Sequence, residues 1–288
     1  MRGKEYHIST LSQGPLRVVH MHSTIRLGTV PYLNAMPLTL PIEKKEIHSK
    51  FEYNIIKAPP SRLAHMIHIA DLDVALLSVV EPMKERRLRV IDGMSINSNG
   101  PTLSVQIFHK GDPSQIKKLG LDFESKTSNI LGQIILSEKY GIRPETVMVR
   151  DPDKKTLDKV DAFISIGDKT FKLLNSDMEH FDLGETWKEI TGLPVVFAVW
   201  VMPPHFRDRD IIDVLRRSSS MGLQMLDQII PRISRTRGIP MEVLTQYFHK
   251  NVHFTLGTEE KKGVAKMFEL AHKIDLLPPA RKLEYFFG

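Results

Sequence analysis

Polar residues in this sequence stand where apolar runs end. Tyr32 and Asn34 follow the run 25–30, and Ser78 follows 74–77. Ser104 lies in the extended stretch 103–109, just after Asn97-Ser98-Asn99-Gly100-Pro101. Ser125, Thr127 and Ser128 stand together, and Gly167-Asp168 follows the run 162–166. Clustered hydroxyls and the free N–H groups of helix N-termini suit carboxylates and other small anions. Each residue also has a plainer reading. Ser125–Ser128 could simply cap a helix, which is compatible with ligand binding. Asn34 could start a helix, Ser104 could be a satisfied strand hydroxyl, and Asp168 reads first as an N-cap. Glu81 is either a buried acid of the site or an ordinary first-turn acid.

Other chemistries find little support. There is no Walker glycine loop, no G-x-G-x-x-G, no G-x-S-x-G and no H-E-x-x-H. His65 and His68 are spaced to share a metal on a helix, but the pattern places no third ligand, so surface or half-buried histidines are the expectation. Asp71 and Asp73 resemble a carboxylate pair, yet they sit before a strand, where aspartates serve turns. The chain has no cysteine, which excludes disulfides and thiolate chemistry.

The elements that must position the polar residues alternate. Strands are expected over 25–30, 51–56 and 74–77. Helices are expected over 34–44, with Pro37 in the first turn, and from Pro59-Pro60-Ser61 onward, burying Leu63, Met66, Ile67 and Ala70. That order implies a parallel sheet. A second unit has strands over 119–122, 146–149 and 162–166. Its main helix runs from Ser125 to Tyr140, with Ile130, Leu131, Ile134 and Ile135 inward and Gly141 and Pro144 at its end. Gly167-Asp168 opens another helix, and Trp187 rides a short one that stops at Gly192. Extended stretches 103–109 and 195–201 bracket this unit. Beyond them the chain reads as helices over about 208–229, 240–248 and 258–274, with Thr258 as the last cap. The expectation is an α/β protein of two lobes joined by a double-strand hinge. The first lobe takes 24–107 and 197–288, and the second takes 108–196. Ligands bind in such clefts, at strand carboxyl ends.

Composition agrees with a globular protein: 288 residues, 41% hydrophobic and 26% charged. The net charge is +6, with basic residues denser at 84–89 and 207–237 but no nucleic-acid-binding module. No apolar run reaches the ~18 residues of a membrane helix, and residues 1–23 lack a secretory apolar core. We therefore expect a cytoplasmic protein with no nucleic-acid or membrane partner. Residues 1–23 are read as a disordered leader, with Met21 a candidate natural start. Oligomeric state is not legible.

The same segments resemble one family, the chorismate dehydratases of the futalosine route to menaquinone. The resemblance rests on Tyr32-Leu33-Asn34-Ala35-Met36-Pro37-Leu38, on Leu72 to Glu81, on Ser98-Asn99-Gly100-Pro101-Thr102-Leu103-Ser104-Val105, on Ser125-Lys126-Thr127-Ser128 and on Ile166-Gly167-Asp168. The most specific part is Asp182-Leu183-Gly184, Trp187-Lys188-Glu189 and Thr191 to Trp200. Asn99, where an aspartate is usual, and Ser165, where an apolar residue is usual, depart from the pattern. The resemblance implies a type II periplasmic-binding-protein fold, chorismate as substrate, no metal and no organic cofactor. It also implies Asn34 and Ser104 as the catalytic pair. Tyr32, Ser78, Gly100, Ser125, Thr127, Ser128, Gly167 and Asp168 are the expected substrate-binding residues. A solute-binding protein of the same fold, the related 1,4-dihydroxy-6-naphthoate synthase and a ligand-sensing module are the competing readings.

Overall fold

The computed structural model describes residues 24–85, 87–279 and 281–287. The leader and the candidate start Met21 lie outside the described residues.

The first lobe begins with β1 (Thr24–Thr29), α1 (Met36–Glu43), β2 (Glu52–Lys57), α2 (Pro60–His68), β3 (Val74–Ser78), α3 (Val80–Lys84) and β4 (Arg89–Ser98). The chain then builds a second sheet from β5 (Val105–His109), β6 (Lys118–Asp122), β7 (Glu145–Val149), β8 (Ala162–Ile166) and β9 (Glu179–Asp182). Helices α4 (Lys126–Tyr140), α5 (Asp168–Leu173) and α6 (Leu183–Thr191) accompany it. The return begins with β10 (Val195–Met202) and continues through α7 (Asp210–Gln224), α8 (Leu226–Arg237) and α9 (Met241–Gln246). After a π-helical turn at Tyr247–Asn251 come β11 (His253–Leu256), α10 (Thr258–Lys273) and β12 (Tyr285–Phe286).

In the first sheet the order is β11-β4-β10-β3-β1-β2, with β12 also against β4. β1 runs parallel to both β2 and β3. In the second the order is β7-β6-β8-β5-β9, and β6 runs parallel to both β7 and β8. In each sheet the chain goes from one strand to a neighbour on one side, then crosses to the other side. Such a switch opens a crevice at the strand carboxyl ends. The two crevices face each other. Between the lobes the chain crosses twice, and the crossings lie side by side, because Ser98, which ends β4, pairs with Val195, which opens β10.

The core follows the expected pattern. Val74, Ala75, Leu76 and Leu77 are all fully buried, as a central strand covered on both faces requires. In α4, Leu131, Ile134 and Ile135 are fully buried and Ile130 nearly so, and Gly141 closes the helix at φ +68°. Gly192 ends α6 in the same way.

Several expectations need correction. The stretch 89–98 was not read as a strand, yet it is β4, the longest strand described. Its alternation is broken by Gly93 at φ +87° and by irregular register against β10 and β11. The hinge stretch 103–109 is not one strand. β5 begins at Val105 and belongs wholly to the second sheet, and Leu103 is left-handed at φ +58°. Helix α2 stops before Ala70, which is left-handed and exposed. The predicted helix 208–229 breaks at Met225 and continues as α8 to Arg237. Thr258 does not cap α10. Gly257 holds that position, and the Glu260 carboxylate accepts its N–H at 2.8 Å.

Candidate active site

The cleft between the lobes encloses about 750 Å³, its open mouth included. Tyr32, Asn34, Ser78, Ser104, Ser125, Thr127, Ser128 and Gly167 all line it. Eight of the ten residues singled out from the sequence are therefore brought to one place from five separate segments. The remaining two, Gly100 and Asp168, do not line it and act otherwise.

Gly100 is buried at φ +138°, where a side chain is strained. Its carbonyl accepts the Ser98 hydroxyl at 2.8 Å. A Cβ on Gly184 would come within 2.5 Å of that same carbonyl oxygen, so two glycines let the hinge loop lie directly on α6. Asp168 reaches across the cleft, and its Oδ1 accepts the Leu33 N–H at 3.1 Å. Burial raises its carboxyl above the ordinary range, while the Leu33 N–H and Arg237 pull the other way.

Other ties close the lobes. Thr127 Oγ1 donates to the Phe197 carbonyl at 2.8 Å. Its one hydrogen being committed, the Ser78 hydroxyl, 2.7 Å away, is the donor of that pair. These two hydroxyls thus fasten α4 to β3 and β10. Lys126 pairs with Glu81 at 2.5 Å. Glu81 is both buried and in the first turn of α3, so its two readings coincide. Tyr32 lies against Gly167, where a Cβ would sit 3.4 Å from the ring, and that glycine is at φ +69°. Burial first, then Glu124, pushes the Tyr32 phenol well above its usual value.

At the head of α4, Ser125 Oγ accepts the Ser128 N–H at 3.1 Å and is therefore a true cap. Ser128 is almost fully buried, and its hydroxyl makes no hydrogen bond among the described residues.

Ser104 is delivered by a loop that one carboxylate holds. Asp182 accepts the backbone N–H groups of Thr102 and Leu103, at 2.9 and 2.7 Å, and Gln106 Nε2 at 2.6 Å. The same carboxylate caps α6 through Gly184 and Glu185. This explains why Asp182-Leu183-Gly184 stood out: the acid braces the left-handed Leu103, and the glycine makes room for the loop. Asn99 is exposed and takes no part in this bracing. Ser165 is satisfied by Thr170 at 2.9 Å.

The sequence reading missed Tyr247. Its hydroxyl lies 3.2 Å from Ser104 Oγ, and it lines the same cleft as Asn34. Burial drives its pKa well above normal, with Ser104 and Asn34 opposing and Asp168 adding to the rise. Asn97 and Asn251 also line the cleft. They too went unremarked as site residues, since they come from an unrecognised strand and from a helical tail without a motif. His65 and His68 ride α2 at the surface, and His68 lies 3.7 Å from Glu85. Among the described residues no three His, Asp or Glu side chains converge as a metal-binding group. Asp73 is clipped to Arg26 at 2.7 Å and has a structural role.

A cleft between two switch-point sheets defines a two-lobed, periplasmic-binding-protein-like protein. Solved structures share the fold. The alkanesulfonate-binding protein of Xanthomonas axonopodis bound to MOPS is 12% identical, with a TM-score of 0.68 over 92% of this chain and 99% of its own. A protein of Archaeoglobus fulgidus is 14% identical, with a TM-score of 0.72 over 90% and 100%. The chain belongs to the menaquinone biosynthesis family, whose model matches residues 25–273. Similar curated proteins include the chorismate dehydratase of Thermus thermophilus, 24% identical over 83% of this chain and 94% of its own. Another is the chorismate dehydratase of Campylobacter jejuni, 23% identical over 86% and 98%.

Proposed function

We propose that this protein is a chorismate dehydratase, a hydro-lyase of menaquinone biosynthesis that converts chorismate to 3-[(1-carboxyvinyl)oxy]benzoate and water. The reaction breaks C3–H and C4–O, and the electron pair of the C3–H bond becomes the last double bond of an aromatic ring. Aromaticity supplies the driving force, while C3–H is a poor acid. The ring carboxylate, conjugated with the reacting carbons, takes up part of the developing negative charge. Fixed donors on that carboxylate would lower the barrier by electrostatic preorganisation.

The observation that carries this reading is the convergence of Asn34 and Ser104 on one cleft, with Ser104 Oγ 3.2 Å from the buried Tyr247 hydroxyl. Asn34 and Ser104 hold and polarise the ring carboxylate. The first-turn N–H groups of α4 and the Ser128 hydroxyl receive the enolpyruvyl carboxylate. Neutral donors suit this task, because Lys126, at the rim, is already paired with Glu81. Among the described residues lining the cleft there is no histidine, and the one carboxylate is Glu124. The substrate's own enolpyruvyl carboxylate is the candidate base, and the leaving C4 hydroxyl departs as water once protonated. The lobe ties through Asp168, Ser78 and Thr127 exclude water and fix this geometry. We read the protein as cytoplasmic and acting on a soluble metabolite. Among the described residues no helix is long and apolar enough to cross a membrane.

Incubating the purified protein with chorismate and recording the ultraviolet spectrum tests the reading. A growing aromatic band supports it. Saturable binding with an unchanged spectrum would identify a solute-binding protein instead.

A further inference from the structure

Tyr247 comes from outside both switch-point crevices, yet its hydroxyl ends beside Ser104. It opens the π-helical turn Tyr247–Asn251, a form that recurs at functional sites. Its side chain is almost fully buried. The ring is wedged edge-on between Phe171 of the second lobe, 5.1 Å away at 82°, and Phe248, 5.2 Å away at 62°. The far end of the same turn holds the hinge loop, where Asn251 Nδ2 donates to the Pro101 carbonyl at 2.8 Å. One turn therefore grips the loop before Ser104 and contacts the serine hydroxyl itself.

The donors can be assigned by counting hydrogens. A neutral phenol carries one hydrogen, a serine hydroxyl one, and the Asn34 amide two on nitrogen. Burial keeps the phenol neutral, so it does not serve as a base. Among the described residues Ser104 Oγ, 3.2 Å away, is the one acceptor within hydrogen-bond distance of the phenol, so the phenol hydrogen goes there. The serine's own hydrogen is then free for the cleft.

We propose that Tyr247 is a positioning residue: its phenol donates to Ser104 Oγ and so aims the serine hydrogen at the substrate carboxylate. This rests on the dehydratase reading above. Tyr247 acts through Ser104, and its effect therefore exists only while the serine is present.

Tyr247→Phe keeps the ring and its packing against Phe171 and Phe248. With chorismate as substrate, kcat is expected to fall about 10- to 100-fold with KM within about twofold, the size of one lost hydrogen bond to a charged arrangement. In a Ser104→Ala background, followed by product accumulation over hours, the same substitution is expected to cost less than about twofold. An equal loss in both backgrounds would make Tyr247 merely structural, and an unchanged kcat in the Ser104 background would overturn the proposal. Both results presuppose a parent protein that converts chorismate. A parent that leaves it unchanged refutes the dehydratase reading and the role of Tyr247 together, so the two failures are told apart by the parent alone.

Discussion

Asp182→Asn removes no heavy atom, yet it is expected to loosen the hinge and slow the enzyme together. One oxygen of Asp182 serves Gly184 and Glu185 at the head of α6. The other serves Leu103 and Gln106, and Thr102 lies between them. An amide has a single oxygen. Whichever way it turns, its NH2 group faces at least two N–H donors that lose their acceptor in a buried setting. At about 1–3 kcal/mol for each unsatisfied group, the cost is roughly 2–6 kcal/mol. At about 2–4 °C per kcal/mol for domains of 150–250 residues, the melting temperature is expected to drop by at least about 4 °C. Leu103, left-handed at φ +58°, loses its brace, and Ser104 follows it directly in the chain. Turnover of chorismate is therefore expected to fall about 10-fold or more, the penalty of displacing a residue of the proposed site. Differential scanning fluorimetry and a steady-state assay on the same preparation provide both readings. A variant that melts within about 2 °C of the parent and turns over at its rate would refute the bracing argument.

Other substitutions address separate links. Ser104→Ala and Asn34→Ala are each expected to lower kcat about 100-fold or more while changing KM much less, as loss of a transition-state donor does; full activity in either would remove that residue from the site. In Gly222→Ala the new Cβ would lie 1.9 Å from the Pro37 carbonyl oxygen, so α7 must part from α1; the urea midpoint is expected to report a loss of about 1–3 kcal/mol. Asp168→Asn keeps an oxygen for the Leu33 N–H but carries no charge. Because burial raises the Asp168 carboxyl, the stability it contributes is present below its unfolded pKa and is lost as pH rises through its folded one. The variant is thus expected to melt no lower than the parent at pH 7, with any advantage vanishing toward pH 4; a clear loss at pH 7 alone would contradict this.

Much of the fold was legible because the signals are local. Val74–Ser78 is wholly apolar at its start, α4 begins at a serine cap and ends at a glycine, and β-α-β order implies parallel pairing. From there, seven polar residues and Gly167, at strand and helix ends, could be sent to one cleft from the sequence. The failures are equally physical. β4 bends through Gly93 and bulges against its partners, which erases the period-2 pattern. Gly100 and Asp168 sit at the right places in the chain, but one is needed for its backbone and the other for a tie across the cleft. Tyr247 gave no local sign. One tyrosine in a helical tail looks like core, and only the packing of that tail over the hinge brings its hydroxyl to Ser104.

A dehydratase cleft turns its ligand over as well as holding it. Mass spectrometry of chorismate after incubation with the parent protein, beside Ser104→Ala, tests that most directly. A species lighter by one water is expected with the parent, and far less of it with the variant. Chorismate recovered intact from the parent under conditions where it demonstrably binds would contradict it.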